Sequence, residues 1–337
     1  MNTNIRNTFI EFGKILRASN SEIENAINSA QHSNAWFTPE MVRKSIVSFG
    51  DMLSEEKVDA WFKSIPENDN SKRVGLILAG NIPMVGLHDL LCVLATGNYA
   101  VVKLSSSDDK LIPLMVKILV EIQPEIAKKI EFTDRLMNFD AVIATGSNNS
   151  SRYFDYYFGK VPHIIRKNRT SIAVISGNES AEELQNLGND IFDYFGLGCR
   201  NVSKIYLPEG YKISKFFEAI EHFQPIINHF KYNNNYDYNK SIYLVNGVVH
   251  FDNGFLLVKE DSGFISPLAV LFYENYKSLE DLESKILNNS AQIQCIVGHA
   301  NMFSKLNTVN FGKSQSPELT DYADNINTIE FLIGLNN

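Results

Sequence analysis

Short apolar segments that alternate with helical patterns constrain the fold of this chain more than any other feature. From Arg73 onward, the strand-like runs RVGLILAG, NYAVVKLS and DAVIATGS are separated by helical stretches. Strands alternating with helices predict parallel βαβ units, which assemble into a doubly wound α/β sheet. The alternation begins again at TSIAVISG. We therefore predict two doubly wound α/β lobes, with ligands beyond the carboxyl ends of the strands.

The length of 337 residues also indicates more than one domain, because single hydrophobic cores stop growing at roughly 250–300 residues. Residues 1–70 carry apolar side chains at helical spacing, which predicts a helical N-terminal segment. We expect this segment and a first lobe within 1–170. A second lobe is expected over 171–320, with a C-terminal tail over 321–337.

Two local patterns give finer predictions. Pro83 suits the first turn of a helix, so we expect the helix after the first strand to begin there. Asn246 and Gly247 are flanked by alternating apolar residues, a pattern typical of a β-hairpin. We therefore predict that SIYLVNG pairs with HFDNGFLLVKE, after a polar loop at NNNYDYNK.

Charge and composition exclude several classes of protein. The formal charge is −8, with 31 basic against 39 acidic residues, and no basic block suggests a nucleic-acid surface. No apolar run reaches the ~18 residues of a membrane helix, and the charged N-terminus lacks the apolar core of a signal peptide. We expect a cytoplasmic protein without a membrane span. The three cysteines are too few and too widely spaced for a disulfide framework, and no metal-ligand spacing is present.

One cysteine stands out from the other two. Cys199 lies in FGLGCRN, between a helical stretch and a strand. The two glycines before it permit close backbone approach, so a substrate carbonyl could reach the sulfur and nearby N–H groups together. The alternative is a small buried side chain after a helix end. Cys92 and Cys295 lie in apolar segments, and we expect both in the core.

Five further candidate residues lie at or just after the ends of strands in the first lobe. Asn81 follows RVGLILAG, where a side-chain amide can face a ligand, although a turn or cap role is equally compatible. Lys103 ends the next strand and precedes the serines that begin at Ser105, so it suits a ribose or phosphate, or a solvated strand end. Gly146 and Ser147 end DAVIATGS, where backbone N–H groups can cradle a phosphate or form an ordinary turn.

In order and spacing, these segments resemble the aldehyde dehydrogenase superfamily, and more closely the acyl-CoA reductases of bacterial fatty-acid reductases. The resemblance rests on LAGNIPMVGLHDLLCVLATGNYAVVKLSSSD, ATGSNNS and DIFDYFGLGCRNVSKIYLP, and covers roughly 70–300. It implies an aldehyde-dehydrogenase-like fold with a cleft between two lobes. It also implies reduction of an acyl-CoA or acyl-carrier-protein thioester to an aldehyde.

The resemblance assigns roles to the candidate residues. Cys199 matches the nucleophile that carries the acyl group, and Asn81 matches the oxyanion-binding asparagine. Lys103 and Ser105 match the positions that bind the adenosine ribose or its phosphate. Gly146 and Ser147 match the turn near the cofactor. The implied cofactor is NADPH, with NADH as the alternative. An acyl-protein synthetase partner and a homo-oligomer are also implied.

The chain departs from the superfamily at its glutamates. Alignment of TSIAV places Arg166 where aldehyde dehydrogenases carry a general-base glutamate. A hydrolytic enzyme needs that carboxylate to activate water, whereas thioester exchange does not, so the change favours thioester reduction. The second glutamate falls near Gly263, and neither Glu260 nor Asp261 is assigned to its role. Two alternatives stay open: a reductase of acyl phosphates, and a catalytically silent subunit that binds acyl groups or a synthetase.

Overall fold

The computed structural model describes residues 2–68, 70–146 and 148–335, and its chain divides into two compact units. The first unit contains the chain up to Asn168 together with the segment from Pro317 onward. The second unit is Arg169–Ser316. The segment expected to form a C-terminal tail therefore belongs to the first unit.

The first unit opens with four helices, as the apolar spacing predicts: α1 (Asn2–Ala18), α2 (Ser21–Ser33), α3 (Pro39–Met52) and α4 (Glu55–Phe62). Side-chain caps fix two of their starts. Asn20 accepts the N–H of Ile23 at 2.8 Å, and the hydroxyl of Thr38 caps α3. Such caps satisfy N–H groups that have no partner within the helix. The buried faces of these helices join the hydrophobic core of the first unit.

A five-stranded parallel sheet forms the centre of the first unit. Its strands are β1 (Arg73–Ile77), β2 (Tyr99–Lys103), β3 (Ile130–Phe132), β4 (Ala141–Thr145) and β5 (His163–Arg166), in the order β3-β2-β1-β4-β5. The connecting helices are α5 (Leu87–Ala95), α6 (Leu111–Ile122) and α7 (Asn148–Phe158). From β1, the chain adds β2 and β3 on one side and then β4 and β5 on the other side, as in doubly wound sheets. The carboxyl ends of β1 and β4 therefore flank a topological switch point, where such folds bind ligands.

A six-stranded sheet forms the second unit. Its strands are β6 (Thr170–Val174), β7 (Val202–Pro208), β8 (Phe251–Asp252), β9 (Leu257–Glu260), β10 (Val270–Tyr276) and β11 (Ile293–Val297). The order is β11-β6-β7-β10-β9-β8, and only β8 runs antiparallel to its neighbour. The helices are α8 (Ala181–Phe192), α9 (Ile213–Ala219), α10 (Phe230–Val245) and α11 (Leu279–Asn288). The second unit has two buried apolar clusters. Along β7, Ile205 and Leu207 belong to one of them and Tyr206 belongs to the other, because successive side chains of a strand point to opposite faces of the sheet.

The segment from Pro317 onward belongs to the first unit and contains α12 (Thr328–Gly334). Hydrogen bonds from Trp61, His88 and Arg166 help to attach this segment. The Nε1–H of Trp61 reaches the hydroxyl of Tyr322 at 3.0 Å, and Nε2 of His88 lies 3.0 Å from the carbonyl of Leu319. Arg166 donates to the hydroxyl of Thr328 at 3.1 Å.

Two local predictions were wrong. The helix after β1 begins at Leu87 and not at Pro83, because residues 81–86 form turns and Met84 adopts a left-handed φ of 57°. The segment expected as a polar loop and hairpin strand is helix α10. Its buried side chains recur every three or four residues, at Tyr232, Tyr236, Asn239 and Tyr243, which is a helical period.

The observed hairpin is shorter and lies within HFDNGFLLVKE. It joins β8 to β9 through Asn253 and Gly254, and Gly254 has a φ of 93°. Gly247, which was expected to form the hairpin turn, instead follows the end of α10 at a φ of 62°. Both Asn-Gly pairs thus mark a change of chain direction, but only the second joins two strands.

Candidate active site

The proposed nucleophile lies in a turn between α8 and β7, which we call the cysteine turn (residues 193–201). Cys199 carries a thiol and is partly exposed. Cys92 is buried in α5, as predicted, and burial raises the pKa of its thiol well above the usual range. Cys295 lies on β11 but is partly exposed, so the prediction of a fully buried side chain was wrong for it.

The cysteine turn begins with an unusual run of backbone conformations. Tyr194, Phe195 and Gly196 have φ values of 51°, 58° and 80° in succession. A left-handed conformation costs an L-residue other than glycine roughly 1–2 kcal/mol. Tyr194 and Phe195 are both buried aromatic residues, so the surrounding structure must stabilise this conformation. The run lies between the end of α8 and Cys199.

Asn201 holds the cysteine turn from within. Its side chain is buried, and its Oδ1 accepts the N–H of Gly198 at 2.8 Å. Its Nδ2 lies within hydrogen-bond distance of the carbonyls of Asp190 (3.1 Å), Ile191 (3.4 Å) and Asp193 (2.8 Å). The last carbonyls of a helix have no partner within the helix, so one amide group joins the end of α8 to the turn.

Ser171 on β6 holds the main chain of the nucleophile itself. The side chain is fully buried, and its hydroxyl donates to the carbonyl of Cys199 at 3.1 Å. The same oxygen lies 3.0 Å from Sγ of Cys295 and accepts the N–H of Cys295 at 3.3 Å. This contact has no sequence signal, because Ser171 and Cys199 are 28 residues apart and no motif joins them.

A cavity of about 80 Å³ borders the cysteine turn within the second unit. Its walls come from α8, the cysteine turn, β7, α10, Leu256 and the segment 266–270, and polar and apolar atoms both contribute to their surface. Three hydroxyl groups in the walls already donate to main-chain carbonyls, those of Ser203 (2.6 Å), Ser266 (2.6 Å) and Tyr232 (3.0 Å). The described residues that line it include no charged side chain, so the cavity can admit an uncharged group.

Asn81 lies in the first unit, exposed in the turn between β1 and α5. Two hydrogen bonds fix this turn. The hydroxyl of Ser45 donates to the carbonyl of Pro83 at 2.9 Å, and the N–H of Met84 donates to Oδ2 of Asp108 at 2.7 Å. Burial raises the pKa of Asp108 to about 6. The turn that carries Asn81 is therefore anchored to α3 and to the segment before α6.

The expected cofactor residues lie at the carboxyl ends of neighbouring strands. Lys103 ends β2 beside Ile77 of β1, and its Nζ donates to the carbonyl of Asp134 at 2.9 Å. A Cβ on Gly80 would lie 2.6 Å from Oγ of Ser105, so glycine is needed where the loops after β1 and β2 meet. The loops that follow β1 and β2 are therefore in close contact at the carboxyl ends of these strands.

Gly146 directly follows β4, on the other side of β1 from Lys103. It therefore lies at the switch point of the sheet, where a phosphate-binding turn is expected. Ser147, the other residue assigned to this turn, lies outside the described residues. The part of the chain that the structure describes contains no group of three or more side chains suited to a metal ion.

Arg166, which the alignment of TSIAV matched to the general-base glutamate, forms a buried ion pair. Its guanidinium makes a two-point contact with the carboxylate of Asp89, with one N–O distance of 2.7 Å, and also reaches Thr328. Both charged side chains are less than a tenth exposed. Arg166 therefore joins β5 to α5 and α12 and supplies no base.

The resemblance matched the second glutamate to the neighbourhood of Gly263, which lies in the loop after β9. Asp261 accepts the N–H of Gly263 at 2.8 Å, and an ion pair with Lys259 lowers the pKa of its carboxyl. Glu260 is exposed. Lys204, a fully buried residue that the sequence analysis missed, donates to the carbonyls of Asp261 (3.0 Å) and Gly263 (3.1 Å). The loop is thus held in place by a buried ammonium group.

Comparison with solved structures identifies the fold. Aldehyde dehydrogenase 21 from Physcomitrella patens, in complex with the reaction product succinate, matches with a TM-score of 0.68 and 12% identity over 99% of this chain and 84% of that one. An acetylating aldehyde dehydrogenase from Geobacillus thermoglucosidasius matches with a TM-score of 0.63 and 12% identity, covering 98% and 90%. NADP-dependent glyceraldehyde-3-phosphate dehydrogenase from Bacillus halodurans C-125, complexed with NADP, gives 0.62 and 12%, covering 88% and 73%.

The chain therefore has the aldehyde dehydrogenase fold, which confirms the fold class expected from the sequence. No protein-family model matches the chain, and no curated protein matches it in sequence. Within the described residues, no helix is both long and apolar enough to cross a bilayer. At 12% identity the solved structures establish the fold alone.

Proposed function

We propose that this protein uses NAD(P)H to reduce an acyl thioester, acyl-CoA or acyl-carrier protein, to an aldehyde through an S-acyl intermediate on Cys199. The observation that carries the proposal is the partly exposed thiol of Cys199 in a turn fixed by Asn201 and Ser171. The likeness to an acetylating aldehyde dehydrogenase over nearly the whole chain adds support.

The proposed chemistry has two stages at Cys199: formation of an S-acyl intermediate, and reduction of that intermediate to the aldehyde. Its thiolate attacks the thioester carbonyl carbon, a carbon–sulfur bond forms, and the carrier thiolate leaves, so one difficult step becomes two. The main-chain N–H of Cys199 stabilises the oxyanion, and a preorganised donor of this kind contributes about 3–4 kcal/mol. After reduction of the acyl carbon, the carbon–sulfur bond breaks, which releases aldehyde and restores the thiolate.

Arg166 supports reduction of a thioester over oxidation of an aldehyde to an acid. Release of an acid requires a base that activates water. At the corresponding position this chain has a guanidinium engaged with Asp89. Exchange between two thiols is nearly balanced in free energy and needs no such base once the thiolate has formed.

The proposed cofactor site lies in the first unit. A nicotinamide cofactor, when bound, supplies the hydride. Lys103 and Ser105 are proposed to hold the adenosine ribose or its phosphate, and Gly146 the turn near the cofactor. The close approach of Gly80 to Ser105 fits this assignment, since ligands bind at the carboxyl ends of such strands. The ammonium of Lys103 favours NADPH, which carries an additional phosphate.

Lys103→Met is expected to raise the KM for NADPH about tenfold and to change the KM for NADH much less. A hydrogen bond to a charged group contributes about 1.5–3 kcal/mol, and only NADPH offers the extra phosphate. Steady-state kinetics with both cofactors provide the measurement. Lys128→Met, at an exposed lysine paired with Glu125, is the control. An equal rise for NADPH and NADH would remove Lys103 from the phosphate site.

A substrate panel tests the proposed function directly. Oxidation of NADPH is followed by absorbance with acyl-CoAs of increasing chain length and with acyl phosphates. We expect turnover of the thioesters. Turnover of acyl phosphates alone would replace the proposed substrate, and no turnover of any member would remove the proposed activity.

The cavity beside the cysteine turn is the proposed site of the acyl chain, which predicts how substrate choice responds to mutation. Leu268 lines the cavity, and its Cδ1 lies 3.6 Å from a Cβ built on Gly196. Leu268→Ala enlarges the space and is expected to raise the kcat/KM ratio of longer to shorter acyl chains about tenfold. Leu268→Phe is expected to lower the same ratio. A ratio that moves in the same direction for both variants would place the acyl chain elsewhere.

A further inference from the structure

We propose that Asn201 is a positioning residue for Cys199: its amide holds the left-handed run 194–196 in place and thereby fixes the thiol for attack. The inference rests on the proposed role of Cys199 as the nucleophile. Nothing in the motif around Cys199 points to this role, because it depends on contacts made only in the folded chain.

The left-handed run needs an external stabilising contact. Two successive buried aromatic residues, Tyr194 and Phe195, adopt positive φ, at a cost of roughly 1–2 kcal/mol each. Such a conformation persists only where the surrounding structure determines it. If it relaxed, the chain direction entering Gly198 and Cys199 would change.

The amide of Asn201 provides that contact in a single orientation. Its Nδ2 is within hydrogen-bond distance of the carbonyls of Asp190 and Ile191, in α8, and of Asp193, the residue before the run. Its Oδ1 accepts the N–H of Gly198, on the other side of the run. One planar group therefore bridges both ends of the left-handed segment. Neither alanine nor serine can reproduce all four contacts.

Asn201 also closes the residues around Cys199 into a short ring. Its own N–H donates to the carbonyl of Gly198 at 3.1 Å, while its side chain accepts the N–H of the same glycine. Cys199 lies between these two residues in sequence. Since β7 begins at Val202, the closed turn is joined directly to the central part of the sheet.

The test compares Asn201→Ala and the milder Asn201→Ser with Asn98→Ala. Asn98 is also fully buried, and its amide donates to Thr96 while accepting the N–H of Lys72, at the amino-terminal end of β2. Three quantities are measured for each variant: stability in urea, kcat per folded molecule, and the rate of iodoacetamide alkylation at Cys199 by peptide mass spectrometry.

For the Asn201 variants we expect a fall in kcat of about 10- to 100-fold, because small displacements of a reacting group cost on this scale, with little change in the KM for NADPH. Alkylation of Cys199 should become several-fold faster, since the relaxed turn exposes the thiol to a small reagent. Asn98→Ala should lose stability but keep both rates per folded molecule.

Unchanged kcat and alkylation rates per folded molecule in Asn201→Ala would overturn the inference, as would failure of both Asn201 variants to fold while Asn98→Ala folds. Absence of thioester reduction by the wild-type protein would instead refute the proposed function. The alkylation measurement does not depend on thioester turnover and would still decide whether Asn201 controls the cysteine turn.

Discussion

Cys199→Ala is expected to lower thioester reduction by a factor on the order of 10⁴ or more, because removal of a nucleophile eliminates the covalent route and not merely one stabilising contact. The overall fold should survive, since Cys199 lies in a turn and is partly exposed. The rate of NADPH oxidation with a saturating acyl-CoA is the measurement, with thermal unfolding as the check on folding.

Cys92→Ala is the thiol control for this experiment. Cys92 is fully buried, and burial raises the pKa of its thiol well above the usual range, so it stays protonated and unreactive. We expect Cys92→Ala to keep its activity per folded molecule. Activity retained by Cys199→Ala, or lost only in Cys92→Ala, would contradict the assignment of the nucleophile.

Arg166→Met is expected to lower the free energy of unfolding by about 3–5 kcal/mol, because it leaves the carboxylate of Asp89 buried without its partner. Both side chains of this pair are less than a tenth exposed. Replacement of both charges, as Asp89→Leu with Arg166→Met, should recover most of the loss, since a buried ion pair is often no more stable than apolar residues of similar size. Urea unfolding of the single and the double variant measures the effect.

The exposed pair between Arg43 and Glu24 is the comparison for Arg166. Its side chains are 47% and 37% exposed, and solvent-exposed ion pairs contribute little to stability. Arg43→Met should therefore destabilise the protein far less than Arg166→Met. Equal losses from the two variants, or no recovery in the double variant, would show that the Arg166 pair is not the buried structural contact described above.

The strands and most helices could be predicted from the sequence because their signals are local. Apolar runs bounded by glycine marked β1, β4 and β6, and helical spacing marked α8 and α11. The prediction failed at α10, where tyrosines and asparagines hid the helical period. Tyr232, Tyr236 and Tyr243 are buried there by packing against the rest of the second unit, and tertiary burial of this kind overrides weak local preference.

The candidate site was predictable only in part. Glycines and position directed attention to Cys199, and strand ends to Asn81 and Lys103. The contacts that hold the site were not readable, because Ser171 and Lys204 act across distances of 28 and 57 residues or more in sequence. The positive φ of Tyr194 and Phe195 also lacks a sequence signal, since aromatic residues rarely adopt it.

The most direct test of the proposed nucleophile is the site of acyl attachment. Wild-type protein without NADPH is incubated with acyl-CoA and quenched in acid, and the intact mass and the peptide masses are then measured. The account predicts one acyl group per chain, attached through a thioester to Cys199 and removed by NADPH with release of aldehyde. An acyl group on another residue, or no covalent adduct while aldehyde is still produced, would contradict it.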